Sequence, residues 1–76
     1  MRKQSVRQQL AIVEAIAQAR QDAGISQRKL SVRLQEGPLF MHRIEIGGPG
    51  IGVAEFIAIA RAISIDPCDL LRRSLV

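Results

Sequence analysis

Most of the side chains that can bind an anion lie in three parts of this chain. They lie at its start, in a central segment and at its end: Arg2, Lys3, Arg7, Arg28, Lys29, Arg33, Arg72 and Arg73. Eleven Lys and Arg against seven Asp and Glu give a formal charge of +4 and an isoelectric point near 10.7. This balance suits a polyanion, of which nucleic acid is the commonest. An ordinary positive surface is the alternative that charge alone leaves open.

The residues give little support to catalysis or metal binding. His42 and Cys68 are the only histidine and the only cysteine, so we expect no cluster of metal ligands. No Ser-His-Asp arrangement stands out, and no paired carboxylates do. We therefore expect no catalytic residues, no enzyme activity and no cofactor.

The cellular compartment follows from the cysteine and from the hydropathy. A single cysteine excludes an intrachain disulfide and fits a reducing compartment. No apolar run approaches the roughly 18 residues that cross a bilayer. The chain also begins with Met1-Arg2-Lys3-Gln4 rather than with a signal-type apolar segment. We expect a cytoplasmic protein, associated with the nucleoid in a bacterium, with no membrane contact.

Apolar residues recur at helical spacing along most of the chain, and no alternating β pattern is present. They predict an all-α fold with five helices at about 6–23, 27–34, 38–45, 53–63 and 67–74. The first helix carries two stripes, formed by Val6, Leu10, Val13 and Ala17 and by Ile12, Ile16 and Ala19. With 76 residues, we expect one compact domain over 6–76 and a flexible basic arm over 1–5.

Local residues predict where several helices begin and end. Gly24 suits the left-handed position after the first helix. Ser26 is a good N-cap for the second helix. Asp66 and Pro67 form an N-cap followed by a proline at the first helical position, which predicts the start of the last helix.

The central segment, residues 26–47, reads SQRKLSVRLQEGPLFMHRIEIG. It contains two short helical stretches with inward apolar residues, joined by Gln35-Glu36-Gly37, and Pro38 is well placed to open the second stretch. Two helices joined by such a turn form a helix-turn-helix, which sets its second helix into the DNA major groove.

This segment resembles the lambda-repressor/Cro (XRE-type) helix-turn-helix family. The family pattern runs roughly S-Q-x-x-L-A-x-x-L-G-x-S-x-x-x-I-S-x-I-E-x-G. The matching residues, at the same spacing, are Ser26, Gln27, Leu30, Leu34, Ile44, Glu45 and Gly47, with Met41 in place of an aliphatic residue. The similarity extends over about residues 12–71, and Arg20 matches an arginine of the first helix. It implies a compact lambda-repressor-like bundle whose helices 2 and 3 form the helix-turn-helix.

The resemblance implies a structural ion pair between Arg20 and Glu45, which would tie the first helix to the end of the recognition helix. Two unrelated surface charges are the alternative. The resemblance implies that Gln27 contacts a phosphate or a neighbouring side chain. We assign it to the DNA backbone, since it lies in the first helical turn, where an anion is favoured. Arg28 and Lys29 are assigned to the backbone with it. For Lys29 and Arg33, the alternative is that their side chains extend into solvent.

By the same analogy, five residues of the recognition helix point outward: Pro38, Leu39, Phe40, His42 and Arg43. Arg43 can bind a guanine edge or a phosphate, and His42 can do either more weakly. Leu39 and Phe40 are predicted base contacts of an apolar kind, to thymine methyls or the groove wall; a patch for a protein partner is their alternative. Pro38 is assigned to the DNA backbone.

The turn departs from the family pattern. Gln35 replaces a glycine whose left-handed backbone costs other residues about 1–2 kcal/mol, and we expect Gly37 to take that conformation by a shift of the turn. Glu36 adds a negative charge beside the recognition helix, which repels phosphate. Ser31 replaces a small alanine and is expected to fit.

The glycine-rich stretch Gly48-Pro49-Gly50-Ile51-Gly52 is neither a Walker nor a dinucleotide-binding motif, because no strand precedes it and no Lys-Ser/Thr follows. We interpret it as a connector. Its backbone amides, that of Gly48 first, are candidates for contact with a DNA phosphate.

These observations favour sequence-dependent binding of double-stranded DNA by a small transcriptional regulator, most simply a repressor that occludes a promoter as a homodimer. The dimer contact is expected at Leu71, Leu75 and Val76, with the extra stripe of the first helix as the alternative. The competing function is a protein-interaction module that uses the apolar surface of Leu39 and Phe40. An antitoxin that binds both a toxin and its own operator is a third hypothesis.

Overall fold

The computed structural model describes residues 2–48 and 50–75, with side chains from residue 5 onward. This part of the chain contains five helices and no strand: α1 (Arg2–Asp22), α2 (Gln27–Arg33), α3 (Phe40–Glu45), α4 (Val53–Ala62) and α5 (Pro67–Ser74). The predicted all-α class is confirmed. α1 packs against α3 and α5, and α2 packs against α3 and α4.

Each helix contributes at least one large, completely buried apolar side chain to the core. These are Ile16, Leu30, Met41, Ile59 and Leu70, in order from α1 to α5. All five belong to a single cluster. Burial of a side chain of this size stabilises a fold by about 1.5–3 kcal/mol. Even the short helices α2 and α3 are therefore anchored to the common core.

The two apolar stripes of α1 have different surroundings. Ile16 and Ala19, with Ile12 beside them, face the core. In the other stripe, Val6 and Leu10 are exposed, whereas Val13 is buried. The prediction that the Ile12 stripe is an extra surface for a second subunit is therefore wrong, because the core uses it.

α1 begins at Arg2, so the backbone of residues 2–5 is helical rather than a separate arm. Arg, Lys and Gln have high helix propensity, and no Gly or Pro stands here to end the helix. The side chains of Arg2 and Lys3, which were expected to reach a phosphate or the minor groove, lie outside the described residues. Arg7 is exposed on α1.

The predicted N-caps of α2 and α5 are confirmed. The Ser26 hydroxyl accepts a hydrogen bond from the Lys29 backbone N–H at 3.0 Å. The Asp66 carboxylate accepts one from the Cys68 N–H at 2.7 Å, and Pro67 occupies the first helical position. Each cap satisfies a backbone donor that its helix leaves unpaired.

The first four helices end in the same way, with a left-handed residue and a pair of reversed hydrogen bonds (the Schellman motif). The left-handed residues are Gly24, Gln35, Gly47 and Ser64. Gly24 was predicted. At the end of α2, Gln35 itself takes a φ of 61°, with its N–H bonded to the Val32 carbonyl. The expectation that Gly37 relieves Gln35 is wrong, because the hydrogen bonds that close α2 fix the left-handed position at residue 35.

α3 begins two residues later than the predicted residue 38. The Phe40 N–H donates to the Gly37 carbonyl at 3.0 Å, which closes a tight turn containing Pro38 and Leu39 before the helix begins. Helix ends predicted from sequence commonly differ by this much. Residues 34–39 thus form the connection between α2 and α3.

Candidate nucleic-acid interface

A buried serine joins α2 to α3. The Ser31 hydroxyl donates to the Gln27 carbonyl at 2.8 Å and accepts from the Met41 N–H at 2.9 Å. Met41 lies in the first turn of α3, where the N-cap residue Leu39 makes no side-chain hydrogen bond. Ser31 is completely buried. The hydroxyl therefore supplies from α2 the cap that α3 lacks, and it fixes where α3 begins.

The sequence did not reveal this role. The family pattern predicts only that Ser31 replaces a small alanine and fits in its place. A serine at a buried position opposite a helix that has an apolar N-cap residue is the pattern that could have indicated it, because such a helix leaves backbone donors unpaired.

The structure contains the ion pair between Arg20 and Glu45. The Arg20 Nε lies 2.7 Å from Glu45 Oε2, and its Nη2 lies 3.0 Å from Oε1, so the contact is bidentate. The two side chains are only 11% and 7% exposed. Arg20 also donates from Nη1 to the Ile25 carbonyl at 2.8 Å. The contact ties α1 and the α1–α2 connection to the last residue of α3.

Gln27 completes this network. Its Nε2 donates to Glu45 Oε1 at 3.0 Å, and the side chain is half-buried. The first turn of α2 therefore lies beside the last turn of α3. Arg28, which follows Gln27, and Arg43, two residues before Glu45, are consequently brought to neighbouring turns of two helices.

α3 presents polar and apolar groups on its outer side. His42 and Arg43 are exposed, as is Pro38 in the turn before the helix. Leu39 is 56% exposed. The Arg43 N–H donates to the Leu39 carbonyl at 3.0 Å, so Arg43 stands one helical turn beyond Leu39. Residues at this separation lie about 5–6 Å apart on one helical face.

Phe40 is placed differently from the prediction. Its side chain is half-buried and packs against the core. It lines a small cavity of about 70 Å³ together with Leu34 and Ile59. Phe40 is therefore withdrawn from the predicted base contacts, because its ring packs against the core. Of the two apolar residues predicted to contact bases, only Leu39 is exposed.

The basic residues of α2 have two kinds of environment. Arg28 and Lys29 are exposed at its first turn. Arg33 donates from Nη1 to the carbonyl of Ala62 at 3.1 Å, at the last residue of α4. An arginine in this position satisfies a carbonyl that the helix leaves unpaired. Arg33 is thus engaged at the end of α4, while Arg28 and Lys29 extend into solvent.

The backbone N–H of Gly48 is already used within the chain. It donates to the Arg43 carbonyl at 3.3 Å, as part of the motif that ends α3. The prediction that this amide binds a phosphate is therefore corrected. Gly48 instead allows a close approach, since a Cβ there would lie 3.1 Å from the same carbonyl oxygen. Pro49 lies outside the described residues.

Negatively charged residues lie beside the N-terminal end of α3. Glu36 is exposed in the connection before α3. It lines the same small cavity as Phe40, and so does Glu55 of α4. Two carboxylates at this edge limit how far a phosphate backbone can extend over it.

Comparison with known protein families, curated proteins and solved structures found no match for this chain. No described helix combines the length and apolar character that crossing a membrane requires. Within residues 2–48 and 50–75, no group of three His, Cys, Asp or Glu side chains is close enough to hold a metal ion.

Proposed function

We propose that this chain binds double-stranded DNA in a sequence-dependent manner and regulates transcription, with α2 and α3 acting as a helix-turn-helix. One observation carries the proposal. A short helix presents His42, Arg43 and Leu39 to solvent while two polar networks fix its first and last turns. A helix that reads base edges must be held rigidly from behind, because small displacements break its hydrogen bonds to bases.

In this proposal, the first turn of α2 contacts the DNA backbone. Arg28 and Lys29 are exposed cations there, and each supplies the electrostatic attraction that phosphates recognise regardless of sequence. The Gln27 amide gives one N–H to Glu45. Its nitrogen carries a second N–H, which this proposal assigns to a phosphate. Pro38 lies against the backbone at the other end of α3.

Membership of the lambda-repressor/Cro (XRE-type) family is part of this proposal. It is supported by the residues that match the family pattern and by the bidentate contact between Arg20 and Glu45, an ion pair that the resemblance implies. The chain would then be a divergent member, in which Leu39 stands where relatives carry polar readers.

Repression by promoter occlusion is the simplest mode of action that we infer. A homodimer would cover two successive major grooves about 34 Å apart on one side of the duplex. Leu71 on α5 and Leu75 directly after it are exposed and form the surface proposed for the dimer; Val76, assigned with them, lies outside the described residues. This function requires a location in the cytoplasm, at the nucleoid of a bacterial cell, and it involves no catalysis and no cofactor.

The test is selection of duplexes from a random-sequence DNA library, followed by titration of the winning duplex at several salt concentrations. We expect a recurring motif that contains guanine, and an affinity that falls as salt rises because bound cations are released from DNA. Failure to enrich any motif, together with passage through a random-DNA column at moderate salt, would contradict the proposal.

A protein-interaction module remains the second candidate, since Glu36 and the exposed Leu39 suit a partner helix better than a phosphate backbone. Because Phe40 packs against the core, the apolar area that Leu39 and Phe40 could offer to a partner is smaller than predicted. If duplex selection fails, retention of a partner by wild type but not by Leu39→Asp would favour this candidate. Equal retention by both variants would count against it.

A further inference from the structure

Leu39 occupies a position where neither the core nor the helix explains a leucine. As the N-cap residue of α3, it makes no side-chain hydrogen bond to the helix. Ser, Thr, Asp and Asn are favoured at this position because they can make one. Its neighbour Phe40 packs against the core, whereas Leu39 remains 56% exposed. Its apolar surface is therefore available to a contact outside the described chain.

We propose that Leu39 binds the 5-methyl group of a thymine in the major groove. This inference rests on the proposed DNA-binding function and names part of the sequence that the site would read. Leucine has no donor or acceptor, so it cannot recognise a base by hydrogen bonding. The thymine methyl is the apolar feature that an unmodified base edge offers in the major groove.

The position of the thymine relative to a guanine follows from α3. The Arg43 N–H is bonded to the Leu39 carbonyl, so the two side chains are one turn apart on the outer side of the helix. That separation is about 5–6 Å, while base pairs are stacked about 3.4 Å apart. If Arg43 binds the O6 and N7 of a guanine, Leu39 reaches a thymine one or two base pairs away.

The test removes single methyl groups from DNA. In the selected duplex, each thymine within two base pairs of the guanine read by Arg43 is replaced in turn by deoxyuridine, which keeps every base-pairing group. We expect one replacement to weaken binding by about fourfold, the effect of losing one buried methyl. The Leu39→Ala variant should bind the thymine and deoxyuridine duplexes equally.

A second measurement adds the methyl back to a different base. Cytosine at the same position should bind less well than thymine, and 5-methylcytosine should recover about fourfold over cytosine. Leu39→Ala should not distinguish the two cytosines. Val53→Ala is the matched control, because Val53 is exposed at the start of α4, and this variant should retain the full methyl preference.

The outcomes separate this inference from the function on which it rests. If no duplex is selected, the proposed function fails. If a duplex is bound specifically and every deoxyuridine replacement is neutral, the function stands and the role of Leu39 is overturned. A methyl preference that persists in Leu39→Ala also overturns it, since another residue then reads the methyl. Because Leu39 is exposed, loss of folding is not expected, and thermal unfolding of each variant checks this.

Discussion

Arg43 combines exposure, charge and a planar group that can bind both acceptors of a guanine edge. Replacement by alanine should therefore cost about 1–3 kcal/mol of discrimination at one base pair. Competition between the selected duplex and duplexes changed at single positions measures this. Arg61→Ala is the control, because it removes the same charge from the exposed end of α4. Equal discrimination by both variants would remove Arg43 from the site.

Gln35 is strained in the left-handed conformation that ends α2. Its φ of 61° costs a residue with a side chain about 1–2 kcal/mol, while glycine loses about 0.4–1 kcal/mol through its more flexible unfolded state. Gln35→Gly should therefore raise the free energy of unfolding by about 0.5–1 kcal/mol. Urea denaturation measures this change.

Two glycine-to-alanine variants serve as controls for that experiment. Gly24→Ala should destabilise the fold, because Gly24 has a φ of 70°. Gly37→Ala should be tolerated, because a Cβ there meets nothing within 4 Å. A lower stability of Gln35→Gly would show that the glutamine side chain contributes more than its backbone costs.

The residue scale is also where sequence reasoning is least complete. The pattern located the left-handed position after α2 at residue 35, and it erred in transferring that conformation to Gly37, because the Schellman hydrogen bonds are fixed by the helix rather than by residue type. Phe40 was assigned outward by analogy with the family. Its true direction depends on packing against the core, which local spacing does not describe.

At the scale of elements, Ser31 should determine how firmly α3 is attached to α2. Ser31→Ala leaves the buried Met41 N–H without its partner, which costs about 1–3 kcal/mol. We expect lower stability and, because α3 loses its cap, weaker DNA binding in titrations carried out well below the unfolding temperature. Ser5→Ala, at an exposed serine of α1, should change neither property. Unchanged stability of Ser31→Ala would remove the serine as the link between the helices.

The Arg20–Glu45 pair should behave as a buried pair. Glu45→Leu leaves the Arg20 charge without its counterion, and loss of one partner of a buried pair costs about 3–5 kcal/mol. The double variant Arg20→Met/Glu45→Leu should be destabilised by less than the sum of the two single variants, because no charge is stranded. Chemical denaturation of all four proteins gives the coupling free energy. Additive effects would mean that the charges act independently.

Elements were predicted well where their cause is local. Ser26 and Asp66 bond to backbone groups two or three residues away, so their identities suffice to predict the starts of α2 and α5. The two stripes of α1 were both apolar, and no local property distinguishes them. Only the packing of α3 and α5 determines that Ile16 is buried and Leu10 is not. The Arg20–Glu45 contact spans 25 residues and was reached through a family resemblance rather than through spacing.

At the scale of the whole molecule, the proposed dimer makes a geometric prediction about DNA. Leu71 on α5 and Leu75 directly after it are 44% and 62% exposed, and Val6 and Leu10 on α1, also four residues apart, are 53% and 51% exposed. The α1 pair is therefore a matched control for the α5 pair. A dimer formed through α5 should become monomeric in Leu71→Glu/Leu75→Glu, because two carboxylates facing their symmetry mates repel. Val6→Glu/Leu10→Glu should remain dimeric in analytical ultracentrifugation.

The DNA measurement then links the dimer to recognition. The wild type should bind two half-sites much more tightly than one, and insertion of about five base pairs between them should remove this gain by turning one half-site to the opposite side of the duplex. Leu71→Glu/Leu75→Glu should bind the original and the lengthened duplex alike. If the α1 variant loses the dimer instead, then α1 forms the contact. A wild type that is monomeric and insensitive to spacing would remove the dimer from the proposal and leave recognition to a single α3.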